Sequence, residues 1–597
     1  MTPRHGTLAA LVASFAPRGD AEAVMAFGID STVSLSYAAL HAQILDVAAG
    51  LEAKGIGRGD FVLLCGANSP SWIAAYFATV CTGAAAIPVD DQAGKETLAA
   101  VIRHSGARFA FTTRRHIEEL GEAASSLDYA LLEEGSDLAS SPSMEDSRTP
   151  GHGPETAGRT EPSERDAAGR AEPPGPDPAG IASLVYTSGT TGTPKAVPLT
   201  HANLISNAVA LMHAGLIQAS DRVLLPLPMH HSYPFTVGLL LVLGIGATLV
   251  LPSGISGPEI TGALKSGRAT AMLGVPSLYA AIWQGIETRV QAGGARRAHL
   301  FHRLRSLSRH TAKLTGVRLG RLLFRPLHSG LGAQLRILGC GGAKLDPELA
   351  ENLETLGWIV LSGYGLTETS PVLTFNAPKE RRLDTEGKPI PGVEIAIAPS
   401  ASSGAHGEIL ARGPNVFGGY WQNPEATRGV FTADGWFRTG DLGWMDDAGY
   451  LHVAGRLKEV IVLADGKNVF PEDVEPAYAA SPLLREVALL ERGGNLVALV
   501  VPDEDELRRR GGLGAVRLLG EEIERRSVQL PRYQRVMDFR AVRTPLPRTR
   551  LGKIRRHLLP ELYERAAQRS LEEQPAALTE EDERLVNASE TTRGVWE

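Results

Sequence analysis

Cysteine is scarce in this chain: three among 597 residues, Cys65, Cys81 and Cys340, scattered without any metal-ligand spacing. That excludes a disulfide scaffold and a thiolate-held metal, and Cys65 and Cys81, which sit in apolar runs, read as buried thiols. Long hydrophobic runs are also missing. The one candidate span, Phe235 to Leu251, is barely long enough and is interrupted by Gly244 and Gly246. A buried helix from Thr236 to Leu243 turning into a buried strand from Ala247 to Leu251 is therefore expected in place of a membrane crossing. Positive charge is not in excess, with 60 Lys and Arg against 67 Asp and Glu. A net charge of −7 argues against general nucleic-acid binding. Met1 to Pro17 shows no small-residue cleavage site, so a cytoplasmic location is expected. The oligomeric state stays open.

One local absence breaks the acidic balance. Between Glu287 and Asp346 there is no acidic residue, while Arg296, Arg297, Arg303, Arg305, Arg309, Lys313, Arg318, Arg321 and Arg325 recur among Leu, Phe and Val. Such a basic amphipathic stretch, 289–325, suits peripheral contact with an anionic membrane at its inner face or with cofactor phosphates, and equally a solvated helical face.

About 600 residues exceed one core, so two or more domains are expected. Tyr37 to Lys54 and Trp72 to Thr82 have helical spacing, and Phe61 to Cys65 and Ala84 to Val89 read as strands, an alternation that implies a doubly wound, largely parallel sheet. From Gly135 to Gly180 the composition turns to Gly, Pro, Ser, Glu, Asp and Arg, and a disordered insertion is expected there. A second α/β stretch from Leu199 to Ile397 leads into glycine-rich β-like sequence ending near Ala454. A small α+β unit follows from Val474 to Leu562, with strands at Val487 to Leu490 and Leu496 to Val501. The acidic, polar end reads as a mobile tail.

The chemistry begins after the strand-like run Ile181 to Tyr186, with Thr187-Ser188-Gly189-Thr190-Thr191-Gly192-Thr193-Pro194-Lys195. Glycines let successive N–H groups converge on one anion, hydroxyls add donors and Mg²⁺ ligands, and Lys195 adds a point charge. The Walker spacing is absent, because Lys195 stands three residues past Gly192 with Pro194 before it; that disfavours a kinase-type phosphoryl transferase.

With Tyr186 included, this segment resembles the signature of the AMP-forming adenylate ligases, the superfamily of acyl-CoA synthetases, luciferases and peptide-synthetase adenylation domains. Further motifs similar to that family's follow in its order. Met229-His230-His231-Ser232-Tyr233 resembles the aromatic and histidine gate, with His231 lining the acyl site or only walling a polar pocket. Gly341-Gly342-Ala343 resembles the adenine contact, Gly363-Tyr364-Gly365-Leu366-Thr367-Glu368-Thr369 the second nucleotide motif, and Phe437-Arg438-Thr439-Gly440-Asp441 the ribose-binding turn. Gly455-Arg456-Leu457-Lys458-Glu459 resembles the interdomain hinge, Gly466-Lys467-Asn468 the loop after it, and Leu546 to Lys553 the mobile lysine loop.

The resemblance implies a fold of two doubly wound sheets plus a β-barrel-like part in an adenylation domain, 1–455, then a mobile α+β domain, 456–565, and a tail, 566–597. It implies ATP, Mg²⁺ and CoA as cofactors and co-substrate, with Thr187 and Glu368 on the metal side, Thr367 on phosphate, Asp441 on the ribose hydroxyls with Arg456 assisting, Tyr364 against adenine, and Lys553 bridging carboxylate and phosphate. The small domain would swing about Lys458 between acyl-AMP formation and thiol attack. In isolation Lys553 would read as a solvated lysine and Asp441 as a turn residue; the ordered context demotes those readings.

For substrate, Leu319 to Leu327 and Val462 to Val469 resemble long-chain fatty acyl-CoA synthetases, giving a medium- or long-chain fatty acid first and an aryl or other carboxylic acid in reserve. An acyl carrier protein is the alternative acceptor, and a catalytically silent acyl- or nucleotide-binding protein the alternative of another class. Two departures stand out. Ala196 replaces the family's usual Gly and would be strained by on the order of a kcal/mol if that site needs a glycine-only conformation. Cys340 and Lys344 flank the adenine turn where small residues or proline are commoner, which bears on acyl specificity.

Overall fold

The computed structural model describes residues 6–29, 31–121, 127–132, 177–187, 195–315, 318–399, 406–464, 467–510, 514–548 and 554–568. These form two compact units. The first comprises Met1–Tyr186, Val197–Val209 and Ile217–Gly267, and the second Thr187–Ala196, Ala210–Leu216 and Arg268–Glu597.

In the first unit, Phe61–Cys65 pairs in parallel with Ala85–Val89 and with the strand Phe109–Thr112, which in turn pairs in parallel with Asp128–Leu131. Ile181–Thr187 joins beside Ala85–Val89 with Ala86 opposite Ser183. The crossovers are helical, as the 3.6-residue spacing of apolar positions requires. Tyr37–Ala53 is capped by the Ser36 hydroxyl accepting from the Ala39 N–H, and Pro70–Cys81 by Ser69 accepting from Trp72, with Pro70 at the first helical position where no N–H is needed. Every residue of the second helix from Pro70 to Val80 is buried, so its continuous apolar run reflects packing on all sides. A second run of strands in this unit places Glu22–Phe27 between the parallel Thr248–Leu251 and the antiparallel Thr32–Ser36, with Arg222–Leu224 beyond Thr248–Leu251.

The segment read as helix-then-strand is helix-then-strand, but its first part, Pro234–Leu240, is π-helical, followed by the α-helix Leu241–Ile245 and the strand Thr248–Leu251. Gly238 lies within it, where a Cβ would fall 2.7 Å from Leu225 Cδ1, so the close approach of backbone to that leucine needs glycine. Among the described residues no helix is long and apolar enough to cross a membrane. Cys65 and Cys340 are buried and Cys81 half-buried. Most of the expected disordered insertion, and residues 569–597 of the tail, lie outside the described residues. Residues 177–180 of the insertion form a turn in which the Gly180 N–H donates to Asp177 O at 2.8 Å.

In the second unit, Ala271–Gly274, Ile337–Cys340 and Ile359–Gly365 run in parallel, and Val372–Phe375 and Lys388–Pro389 continue antiparallel. The β-barrel-like part is a four-stranded antiparallel sheet of Glu394–Ala398, Gly407–Arg412, Phe437–Met445 and Leu451–Arg456. Further along, Leu484–Arg492 and Asn495–Pro502 form an antiparallel pair joined in parallel by Asp538–Ala541. Alternation there is unusually clean. Val487, Leu489, Leu496, Ala498 and Val500 face one core, and Ala488, Leu490, Val497, Leu499 and Val501 face another, so both sheet faces are covered. The first core is completed by Val474 and Tyr478 from the helix Pro471–Ala479 and by Leu519 and Ile523 from Ala515–Ser527.

Candidate functional site

Strand register creates the centre of the site. Phe437–Met445 pairs antiparallel with Leu451–Arg456 so that Asp441 stands opposite Arg456. Gly440 takes φ +73°, a left-handed turn that delivers Asp441 inward. Asp441 is 4% exposed. Its carboxylate accepts from the Tyr364 hydroxyl at 2.7 Å and meets Arg456 Nε at 3.2 Å. Tyr364 arrives on the strand Ile359–Gly365, whose glycines are sterically required: a Cβ on Gly365 would fall 1.8 Å from Pro371 O, and one on Gly363 2.9 Å from Thr374 O. Burial, then the charge of Asp441, push the pKa of the Tyr364 hydroxyl well above its ordinary value, so it stays a neutral donor. Burial alone would lower Arg456, but Asp441, Glu459 and Glu368 more than offset it and leave the guanidinium raised.

A second cluster is built on the short helix Thr367–Thr369. Glu368 Oε1 accepts from the Tyr420 hydroxyl at 2.9 Å, and the Glu368 carbonyl accepts from the Phe417 N–H, also at 2.9 Å. Lys195 Nζ stands 4.5 Å from the centre of the Tyr420 ring. Burial and the nearby Lys458 lower the Lys195 ammonium, with Glu368 opposing. Thr187 Oγ1 donates to Lys195 O at 3.3 Å, which ties the two flanks of the phosphate loop together. Asn415 buttresses the Thr367–Thr369 helix by donating to Thr369 O at 2.8 Å. Tyr420 is the residue that sequence reasoning missed. It follows Gly418-Gly419 with no distinguishing spacing, and only tertiary approach places it between Lys195 and Glu368.

The remaining candidates fall as follows. Gly341-Gly342-Ala343 directly follows the strand Ile337–Cys340, with Gly342 at φ +83°. Lys344, next along, donates to Val453 O at 3.0 Å and pairs with Asp473 Oδ1 at 3.3 Å. Lys467 Nζ lies 5.2 Å from the Tyr533 ring centre. His231 belongs to the first unit, where its ring centre is 4.1 Å from that of His230, itself 3.9 Å from Asp90. Ser188, Gly189, Thr190, Thr191, Gly192, Gly466 and Lys553 lie outside the described residues.

The conditional strain at Ala196 does not arise. Ala196 sits in the strand Lys195–Thr200, and its carbonyl accepts from the Trp421 N–H at 2.9 Å. The described non-glycine residues with positive φ are Arg268, Ser370 and Gln422, so Ala196 occupies ordinary backbone space.

The donor chemistry fits a hard cation: Glu368 offers a carboxylate and Thr187 a hydroxyl, both hard oxygen groups that could hold Mg²⁺. Among the described residues there is no group of three or more His, Cys, Asp or Glu that could hold a metal ion.

Comparisons with known proteins show the family. The profile of the AMP-binding enzyme family matches residues 12–421. A long-chain-fatty-acid–CoA ligase, FadD15, of Mycobacterium bovis is 31% identical over 461 residues, covering 75% of this chain and 74% of that protein. A feruloyl-CoA synthase of an Amycolatopsis species is also 31% identical, over 491 residues, covering 79% and 86%. Among solved structures, ATP-bound MatB from Rhodopseudomonas palustris superposes with a TM-score of 0.71 at 25% identity, covering 94% of this chain and 99% of that one.

Proposed function

Because this chain belongs to the AMP-binding enzyme family, we propose that it is an AMP-forming acid–CoA ligase that activates a medium- or long-chain fatty acid. ATP and the acid would give acyl-AMP and pyrophosphate, and CoA would then displace AMP to give acyl-CoA. The observation that carries the reading is Asp441, buried between the Tyr364 hydroxyl and Arg456. An acceptor-only carboxylate so oriented can take hydrogen bonds from both ribose hydroxyls. Tyr364 would present its ring to adenine, beside Gly341-Gly342-Ala343.

The electrostatic demand explains the rest. A carboxylate approaching the α-phosphate meets like charge at a cost of about 4 kcal/mol per pair at 4 Å and an effective dielectric near 20. Lys195, held over Tyr420, would supply one compensating charge from the loop of Ser188, Gly189, Thr190, Thr191 and Gly192. Thr367 would contact phosphate, and Lys553 would bridge the reacting oxygens. Mg²⁺, held by Thr187 and Glu368, would offset the charge of the departing pyrophosphate. Lys458 would be the pivot between half-reactions for a mobile domain 456–565, with Gly466 and Lys467 following it, and His231 would line the acyl site.

The fatty-acid preference is supported by the relation to FadD15. The feruloyl-CoA synthase, equally identical, favours an aromatic acid as the second reading. The test is pyrophosphate release with ATP and Mg²⁺ across fatty and aryl acids, with CoA, with a phosphopantetheinylated carrier protein, and with neither acceptor. AMP and pyrophosphate with a fatty acid are expected; ADP as product, or no turnover with any acid, would overturn the proposal. Lys553→Ala is expected to abolish acyl-AMP formation and spare thioester formation from supplied acyl-AMP; equal loss of both would sink that role.

A further inference from the structure

The acid-free stretch contains the 21-residue helix Ala295–Thr315. Its inward face is well held. Phe301 packs against Phe324 with ring centres 5.3 Å apart, Ser308 donates to Thr355 O at 2.7 Å, and Arg309 and Lys313 both reach Glu351, at 2.8 and 3.0 Å. The opposite face is different in kind. Leu300, Leu307 and Leu314 recur every seven residues and are 57%, 48% and 82% exposed. Arg296, Arg303 and His310 are exposed at the interleaved positions. Successive steps of four and three residues put all six on one ridge, because a seven-residue repeat drifts only about 20° per two turns. At about 1.5 Å per residue the three leucines span about 21 Å in a nearly straight line.

Single exposed leucines need no explanation, and an ordinary solvated face would carry polar side chains here. A second copy of the chain is an unsuitable cover, because heptad seams that interleave leucine with arginine and histidine would set like charges against each other. A convex ridge of leucine tips flanked by guanidinium groups matches a deformable, apolar interior beneath a negative surface. The leucines enter the acyl boundary while the arginines extend to lipid phosphates. The stretch between Glu287 and Asp346 holds no acidic residue, and Glu351, which reaches the helix from outside it, pairs with Arg309 and Lys313 rather than with Arg296 or Arg303. We propose that the helix Ala295–Thr315 docks this protein, in the plane of the interface, on membranes carrying anionic lipid.

The full-length protein is tested by co-sedimentation with vesicles of phosphatidylcholine alone and of phosphatidylcholine mixed with phosphatidylglycerol, at low and high salt. Binding is expected only to the mixed vesicles and is weakened by salt. Leu300→Ser/Leu307→Ser/Leu314→Ser and, separately, Arg296→Gln/Arg303→Gln are each expected to reduce it about tenfold or more. Far-UV circular dichroism and ATP-dependent pyrophosphate release of both variants should match the parent, since the substitutions face away from the packed side. Equal binding to neutral and anionic vesicles, or loss in neither variant, would overturn the proposal. So would a leucine-dependent dimer in sedimentation equilibrium, or leucine-dependent binding to polyglutamate without vesicle binding.

Discussion

Asp441 and Glu386 are both carboxylates of the second unit largely withdrawn from water, and they keep different company. Asp441 has a guanidinium nitrogen at 3.2 Å and a phenol hydroxyl at 2.7 Å. Glu386 Oε2 accepts from the Val453 N–H at 2.9 Å, while the nearby Lys344 ammonium is directed at Val453 O and Asp473. Burial, with Glu472 adding to it, pushes Glu386 from an ordinary 4.5 up to about 7, although the Val453 hydrogen bond and Lys344 pull the other way. A buried carboxylate with its own bonded cation has its charge compensated in place, which suits it to holding a substrate hydroxyl. One that must rely on a shared, half-exposed lysine is titratable near neutrality.

The largest effect is expected at Asp441. Asp441→Asn leaves Arg456 without its closest partner, and stability should fall by about 2 kcal/mol, a discounted value because the Arg456 side chain is 35% exposed. Pyrophosphate release should drop on the order of 10²-fold, since both a ribose acceptor and the position of Arg456 are lost. Denaturant unfolding and the KM for ATP measure the two parts. An activity close to wild type would remove Asp441 from the nucleotide site.

Glu386→Gln is expected to act in the opposite direction. The folded state binds a proton more tightly than the unfolded chain, so stability falls as pH rises from 4.5 to about 7 and stays lower above it. Replacing the carboxylate by an amide keeps an acceptor for Val453 and removes that cost. The variant should exceed the parent above pH about 7 by a few kcal/mol, with the difference vanishing below 4.5. A variant that is destabilised at every pH would mean that the two carboxylates are alike after all.

Tyr364→Phe sharpens the comparison from the donor side. The ring remains for adenine, but Asp441 loses the hydroxyl at 2.7 Å. A loss of about 1 kcal/mol in unfolding and a raised KM for ATP with kcat little changed are expected. An unchanged KM would mean that the Tyr364 hydroxyl does not position Asp441 for the nucleotide.

The two carboxylates also differ in how far the sequence discloses them. Asp441 and Arg456 lie in short motifs that resemble the ribose-binding turn and the hinge of the ligase family, and that resemblance marks both as nucleotide-site candidates without knowledge of their register. Glu386 carries no such signal, because its acidity depends on Val453 and Glu472 arriving from elsewhere in the chain. Tyr420 escaped notice for the same reason. Helices and strands such as Tyr37–Ala53 and Phe61–Cys65 were legible because burial imposes periods of 3.6 and two on apolar residues. The π-helical start of the segment at Pro234 was not, since the apolar run Phe235 to Leu243 carries no period that separates a π-helix from an α-helix.

Lys344 gives the smallest and most discriminating test, because it is the cation that Glu386 shares. Its bridge to Asp473 is half-exposed, with side chains 32% and 40% accessible, so removing it should cost about 0.5 kcal/mol. Glu386 is charged only above about 7, where Lys344 stabilises it. Lys344→Met should therefore be more destabilising above pH 7 than below it, and should move the inflection attributed to Glu386 upward. In a Glu386→Gln background the pH dependence of the Lys344 substitution should disappear while the Asp473 part remains. If the dependence survives that double substitution, some group other than Glu386 titrates beside Lys344, and the contrast with Asp441 rests on the wrong carboxylate.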